Sequence, residues 1–347
     1  MEGVIDSFDL APGYRISRVI KGGWQLSDGH NTAVSEDPVA DMFAFVAKGI
    51  NTFDCADIYT GVENLIGQFV LANRERAEPA PIRIHTKYVP DYDALATLSK
   101  ADVEAIIDRS LRRLNVDQLD MVQFHWWNYE VPGWVETAGW LRELQQAGKI
   151  ELLSTTNFNT QKNRDILEAG IPLATSQVQY SLLDPRPEKA LLPLCEQHAM
   201  HLLCYGTLAG GFLSEKWLGQ PEPTSRENRS LIKYHLMIEE IGGWEVFQAL
   251  LGALKTVGYK HGVTLSSVAS RWVLEQPRVA AVIIGSRNAD HVERYHEMFS
   301  FRLDDADLAV IAAAKAQMST PPEDVFDLER DKQGRHGRIM KYNLNAE

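Results

Sequence analysis

The segment DCADIYTGVE, residues 54–63, puts Asp54, the Tyr59 phenol and Glu63 where a strand-like run gives way to a helical pattern. Two further strand-like runs end in Lys87 and His125. A free tyrosine has a pKa of about 10, too high for efficient proton exchange at neutral pH. An ammonium beside it favours the phenolate and lowers that value. Lys87 could supply the ammonium, and Asp54 would keep it charged in a partly dry site. His125 could hydrogen-bond a substrate oxygen or tune the phenol. Each residue also has a structural reading: Asp54 as a strand-end cap, Lys87 as a solvated terminus, Tyr59 as packing, His125 as a core histidine beside Trp126 and Trp127. The joint placement on consecutive strand ends favours chemistry.

These four groups can meet only if the strands that carry them run parallel. Eight short β-rich runs recur: RISRVI before Gly22, NTFD, PIRIHTK, LDMVQFH, IELLSTT, LATSQVQY, HLLCYG and VAAVIIG. Helical patterns separate them. ADVEAIIDRSLRRLNV carries Val103, Ile106, Ile107, Leu111 and Leu114 at helical spacing, which turns Arg112 and Arg113 toward water. VADMFAFVAKGI repeats the pattern, with Gly49 where a helix stops. Eight alternations predict an α/β fold, a (β/α)8 TIM barrel, whose chemistry sits at the C-terminal strand ends. A doubly wound sheet would want G-x-G-x-x-G after an early strand, and GGWQLSDG does not match. A single domain over 1–347 is expected, with the barrel over about 15–318 and a tail at 319–347. The long interval between Gly206 and Gly285 predicts an extended loop after strand seven and at least one further helix. Residues 304–316 read as a last helix. The mixed charges of ERDKQGRHGRIMK read as a solvated tail.

Composition sets the class. Of 347 residues 45% are hydrophobic and 24% charged, ordinary for a globular protein. A net charge of −12 argues against nucleic acid or an anionic membrane as partner, and no apolar run approaches a membrane span. Cys55, Cys195 and Cys204 form no CxxC pair, which suits free thiols in a reducing compartment. The N-terminus lacks the basic and apolar segments of a signal peptide, so a cytoplasmic location is expected. Neither HExxH nor a Cys/His cluster is present, and no metal is expected.

The pattern D54-C-A-D-I-Y59-T-G61-V-E63, followed by Lys87 and His125, resembles the aldo-keto reductase superfamily, with the likeness running from Gly22-Gly23-Trp24 to about Tyr295. The resemblance implies reversible hydride transfer between a nicotinamide cofactor and a small carbonyl or alcohol. In it Tyr59 protonates the carbonyl oxygen, Lys87 assists, Asp54 holds the lysine and His125 orients the carbonyl. Thr156, Asn157 and Gln177 resemble the residues that hold the nicotinamide amide, and Tyr205 the aromatic that stacks on its ring. The loop T207–K216 resembles the pyrophosphate segment, with Leu208, Gly210 and Lys216 as contacts and Ser214 closing a turn. Ser286 and Arg287 resemble a site for the adenosine 2′-phosphate, which favours NADP(H) and leaves NAD(H) open. Arg287 could instead be a solvated helix-start residue. Arg294 and Tyr295 stand where many members carry Glu and Asn for the adenine. Trp24, Tyr88, Trp126, Trp127 and Tyr129 lie past strand ends and could line an aromatic substrate pocket, Trp24 and Trp126 foremost. The family's C-terminal loop often borders the substrate mouth. Two other activities fit some of these residues: a Schiff-base aldolase using Lys87, and a cofactor-binding regulatory subunit without turnover.

Overall fold

The computed structural model describes residues 4–27, 35–224, 229–286, 288–290 and 292–345. A hairpin of β1 (Ser7–Ala11) and β2 (Tyr14–Ser17) comes first, turning at Gly13, whose φ of 77° suits glycine. Eight parallel strands then close into a barrel in chain order. They are β3 (Val19–Gly22), β4 (Thr52–Asp54), β5 (Arg83–Tyr88), β6 (Leu119–Phe124), β7 (Ile150–Thr156), β8 (Thr175–Gln179), β9 (His201–Tyr205) and β10 (Val279–Gly285). The expected (β/α)8 barrel is therefore the observed fold. One run divides differently. The first part of RISRVI pairs antiparallel with β1, and only Val19 onward joins the barrel. Tyr14 and Ile16 of that hairpin pack with Ile20, Met121, Leu203, Ala281 and Ile283, closing the N-terminal end of the barrel with apolar side chains.

Helices cover the outside. They are α1 (Pro38–Ala47), α2 (Val62–Arg74), α3 (Lys100–Leu114), α4 (Trp134–Gln146), α5 (Thr160–Glu168) and α6 (Leu191–Gln197). After β9 come α7 (Arg229–Glu240), α8 (Trp244–His261) and α9 (Leu265–Leu274), three α-helices among the described residues of the long interval. The last helix of the barrel is α10 (Asp305–Lys315). Helix α3 shows why these segments are helical: Ser99 and Asp102 form a capping box, Val103, Ile107 and Leu114 are buried, and Asn115 ends it in the left-handed region. Arg112 is exposed as expected, but Arg113 turns back to Glu63 at 3.4 Å. Helix α2 meets α3 at Gly67, where a Cβ would lie 2.0 Å from the Arg113 carbonyl oxygen. Gly67→Ala is expected to cost about 2–3 kcal/mol in thermal unfolding by forcing the helices apart. An unchanged melting temperature would show that the pair can separate freely.

The tail is not the solvated segment its charges predict. Val325 and Phe326 are buried, and so are Glu329 and His336. Arg186, just after β8, pairs with Asp184 through two bonds of 2.7 and 2.8 Å and with both oxygens of Glu329 at 3.2 Å. Burial opposes charge on Glu329, but Arg186 and Lys233 outweigh it and hold the carboxyl down at about 2. Asp324 accepts the Thr160 amide at the start of α5 at 2.7 Å, and Tyr342 packs edge-on to Trp127. The tail's charges find buried partners on the barrel mouth, a pairing that composition alone does not reveal.

Candidate active site

Side chains inside the barrel change from apolar at the hairpin end to polar at the opposite rim. Inward positions alternate along each strand, so His85 and Lys87 share one face of β5, and Gln123 and His125 share one line on β6. Asp54 ends β4, Lys87 is the penultimate residue of β5, and His125 lies one residue past β6. All three are buried. Lys87 Nζ donates to Asp54 Oδ2 at 2.6 Å and to the Cys55 carbonyl at 2.7 Å. Asp54 Oδ1 accepts from Gln123 and Gln177, each at 2.7 Å. The carboxylate is thus fully engaged and cannot turn. Lys87 Nζ stands 5.1 Å from the centre of the Tyr59 ring. Trp24 meets the Tyr59 ring edge-on at 5.0 Å. The four groups expected on one rim are together there. Gln123 was not anticipated, although its position two residues before His125 was a legible signal for an inward side chain.

The electrostatics refine the expectation for the phenol. Burial would lower the Lys87 pKa, but Asp54 and Tyr59 reverse this and the net direction is up. Lys87 is therefore a firm ammonium, which disfavours its use as a Schiff-base nucleophile. For Tyr59, burial is the largest influence and raises the pKa, while Lys87 pulls it down; the net direction is up. The lysine acts as expected, yet desolvation wins and the phenol stays protonated, ready to donate.

The partner of His125 decides its tautomer. Its Nδ1 lies 2.9 Å from the Thr156 carbonyl oxygen. A carbonyl has no hydrogen to give, so Nδ1 carries the proton and donates. Burial, with the positive Arg330 nearby, depresses the pKa to about 3, so the ring is neutral. Nε2 is then a bare acceptor, buried and with no partner among the described residues. In this tautomer His125 cannot donate to a carbonyl oxygen; it can accept the hydrogen of an alcohol hydroxyl.

On the cofactor side, Thr156 ends β7 and Asn157 follows with φ 60°. Asn157 N donates to the Gln177 carbonyl, and Asn157 Oδ1 accepts from the Tyr205 hydroxyl at 2.8 Å. These residues share one patch of the rim, but Gln177 spends its amide nitrogen on Asp54 and Gln123. Gly210 faces Tyr234, where a Cβ would lie 2.8 Å from the ring, so close packing explains this glycine. Ser214 closes a turn by donating to the Gly211 carbonyl at 2.7 Å. A groove of about 430 Å³ runs from Leu208, Ser214 and Lys216 to Gly285, Arg294 and Tyr295. Lys216 and Arg294 bring positive charge to it, Glu215 negative charge and Tyr295 an aromatic ring, and the buried Ser270 hydroxyl on its wall has no partner among the described residues. Ser286 Oγ donates to the Asn288 carbonyl at 2.6 Å. Arg287 lies outside the described residues.

On the substrate side, Trp24 stands against Tyr59, and Trp126 sits within its own loop. Its ring is fully buried, and its indole nitrogen donates to the carbonyls of Asn128 and Val131, each at 3.0 Å, bracing its own loop. Trp127 instead contacts His125, ring centres 4.3 Å apart, and Phe326 from the tail approaches the same imidazole at 5.7 Å. Phe326 had no local motif to betray it; only folding of the tail brings it there.

The aldo/keto reductase family model matches residues 18–316. The aldo-keto reductase YhdN of Bacillus subtilis is 26% identical over 301 residues, which span 85% of this chain and 88% of that protein. The NADH-specific methylglyoxal reductase of Escherichia coli is 27% identical over 64% of this chain and 67% of its own length. The structure of the glycerol dehydrogenase AKR11B4 from Gluconobacter oxydans superposes with a TM-score of 0.73 at 25% identity, covering 93% of this chain and 98% of that one. With the barrel and its rim in view, the chain belongs to the aldo/keto reductase family, oxidoreductases that act on carbonyl groups with nicotinamide cofactors.

Proposed function

We propose that this protein reversibly reduces an aldehyde or ketone at the expense of NADPH, with Tyr59 as proton donor. The observation that carries the reading is the Lys87–Asp54 pair at 2.6 Å, set against the protonated Tyr59 phenol. When bound, the nicotinamide supplies or accepts the hydride. In the reducing direction Tyr59 gives its proton to the carbonyl oxygen, and Lys87 steadies the phenolate left behind. Asp54, fixed by Gln123 and Gln177, keeps Lys87 in place and charged. His125 Nε2 accepts the hydroxyl of the alcohol and so orients that partner of the reaction. Trp24 and Tyr205 would form the aromatic walls, and Thr156, Asn157 and Gln177 would hold the amide edge of the ring. Gln177 would have to yield one of its present bonds to do so.

For the remainder of the cofactor, Leu208, Gly210, Lys216 and Arg294 would border the pyrophosphate and adenosine, with Ser286 and Arg287 at the 2′-phosphate. Arg287→Ala is expected to weaken NADPH binding about tenfold or more while changing NADH little, because only NADPH offers the doubly charged group. Equal loss of both would remove the 2′-phosphate role. The reading as a whole is tested with a panel of aldehydes, ketones and sugar alcohols, following nicotinamide absorbance with both cofactors. Failure of every compound to turn over either cofactor would sink it.

A further inference from the structure

Arg330 lies in the tail, more than two hundred residues from His125 in sequence, yet it grips both strand ends that frame the imidazole. Its Nη1 donates to the backbone carbonyls of Trp126 and, at 2.9 Å, Trp127; its Nη2 donates to the carbonyl of Asn157. Trp126 directly follows His125. Asn157 directly follows Thr156, whose carbonyl receives the His125 Nδ1 proton. One planar guanidinium therefore joins the chain leaving β6 to the chain leaving β7, at the two points that fix the imidazole and its acceptor. The guanidinium also lies 3.9 Å from the centre of the Tyr129 ring and 5.4 Å from that of Phe326.

Three other contacts anchor the tail beside Arg330. Glu329 pairs with Arg186, Asp327 accepts from Asn159 at 3.1 Å, and Asp324 caps α5. Loss of the Arg330 side chain alone should leave the tail docked. A lysine at this position keeps the charge but cannot spread donors over three carbonyls from one rigid plane. We propose that Arg330 is a positioning residue for the reaction: by clamping the backbone at 126–127 to that at 157, it holds His125 in the orientation and tautomer that present Nε2 to the hydroxyl of the alcohol. This rests on the function proposed above.

The test uses the full chain as Arg330→Met and Arg330→Lys, with Arg335→Ala as control, since Arg335 pairs with Glu239 and Glu240 on the far side of the tail. Arg330→Met is expected to lower kcat about 10- to 100-fold, because a small displacement of an orienting group is costly in rate. Cofactor affinity should stay within about twofold, as Arg330 lines no part of the groove. Nitrogen NMR of the histidines should show the Nδ1–H signature of His125 weakened or lost. Its protonation should move to higher pH, because a nearby positive charge is gone. The charged groups facing the elements packed on His125 are Lys233, 5.7 Å from the Phe326 ring, and Asp327, which acts on Arg330 itself. Arg330→Lys, which keeps the charge and should fold even where Met does not, is expected to retain the low-pH protonation yet still lose turnover. Arg335→Ala should match the parent. Parental turnover in either Arg330 variant would overturn the proposal. So would a loss of kcat that tracks, in parallel, a falling melting temperature and falling cofactor affinity with unchanged histidine nitrogen shifts. If no carbonyl compound is turned over by the parent, the nitrogen shifts still decide the positioning role, and the failure belongs to the proposed activity.

Discussion

Tyr59→Phe is expected to lower turnover by about 10³-fold, within the usual worth of a positioned general acid, while cofactor affinity stays within about twofold. The ring that packs on Trp24 is preserved, and so is the Lys87–Asp54 pair beneath it. Only the hydroxyl goes, and with it the proton carrier proposed beside Lys87. Burial has raised the Tyr59 pKa despite the ammonium, so the lost group is a proton carrier at neutral pH and not a preformed phenolate. Steady-state kinetics alongside a cofactor titration by fluorescence would check both halves. Turnover at the parental level would end the assignment of Tyr59 as donor, whatever the cofactor titration gave.

Acid should destabilise the fold steeply because two buried histidines are held neutral. His125 is depressed to about 3, mainly by burial and then by Arg330; His85, in the barrel interior, is depressed by burial to about 4. Neither His85 ring nitrogen has a partner among the described residues. Both folded values lie below the ordinary value of 6.5, so between 6.5 and about 4 the unfolded chain binds protons that the folded chain refuses. The unfolding free energy then falls as pH falls: the contribution is fully present above 6.5 and drains away toward the folded values. At 1.36 kcal/mol per unit, the two together remove on the order of 5 kcal/mol by about pH 4. Urea midpoints measured through this range should drop accordingly, and His85→Leu should flatten the slope by removing one titration. A midpoint that stayed level from neutral pH to about pH 4.5 would show that these rings are not held neutral by burial.

Much of the architecture was legible because it is local. The eight strand-like runs, the capped helix over Lys100–Leu114 and the stop at Gly49 all follow from side-chain period and turn chemistry within a dozen residues. The hairpin over Ser7–Ser17 was not, because β2 and β3 are separated only by Arg18 and read as one strand. Arg18 in fact turns its guanidinium onto the carbonyls of Leu274, Val279 and Ala280, a contact made only once the barrel closes. The packing of Trp126 was not legible for a similar reason. A tryptophan past a strand end looks available, but its indole nitrogen finds two carbonyls in its own loop and the ring is buried.

For the site, the chain order of Asp54, Tyr59, Lys87 and His125 sufficed to place all four on one rim, since in a parallel barrel every strand delivers its last residues to the same end. What order could not supply is protonation and partner. The tautomer of His125 depends on the Thr156 carbonyl from the next strand. The pKa of Tyr59 depends on how much burial outweighs Lys87. The tail's role depends on Arg186 and three backbone carbonyls far away in sequence. Periodicity reports which face a side chain takes, because that is decided by neighbours along the chain. Desolvation and long-range pairing arise only when distant segments exclude water together, and for this protein those were settled by the closed barrel and the tail folded over its mouth.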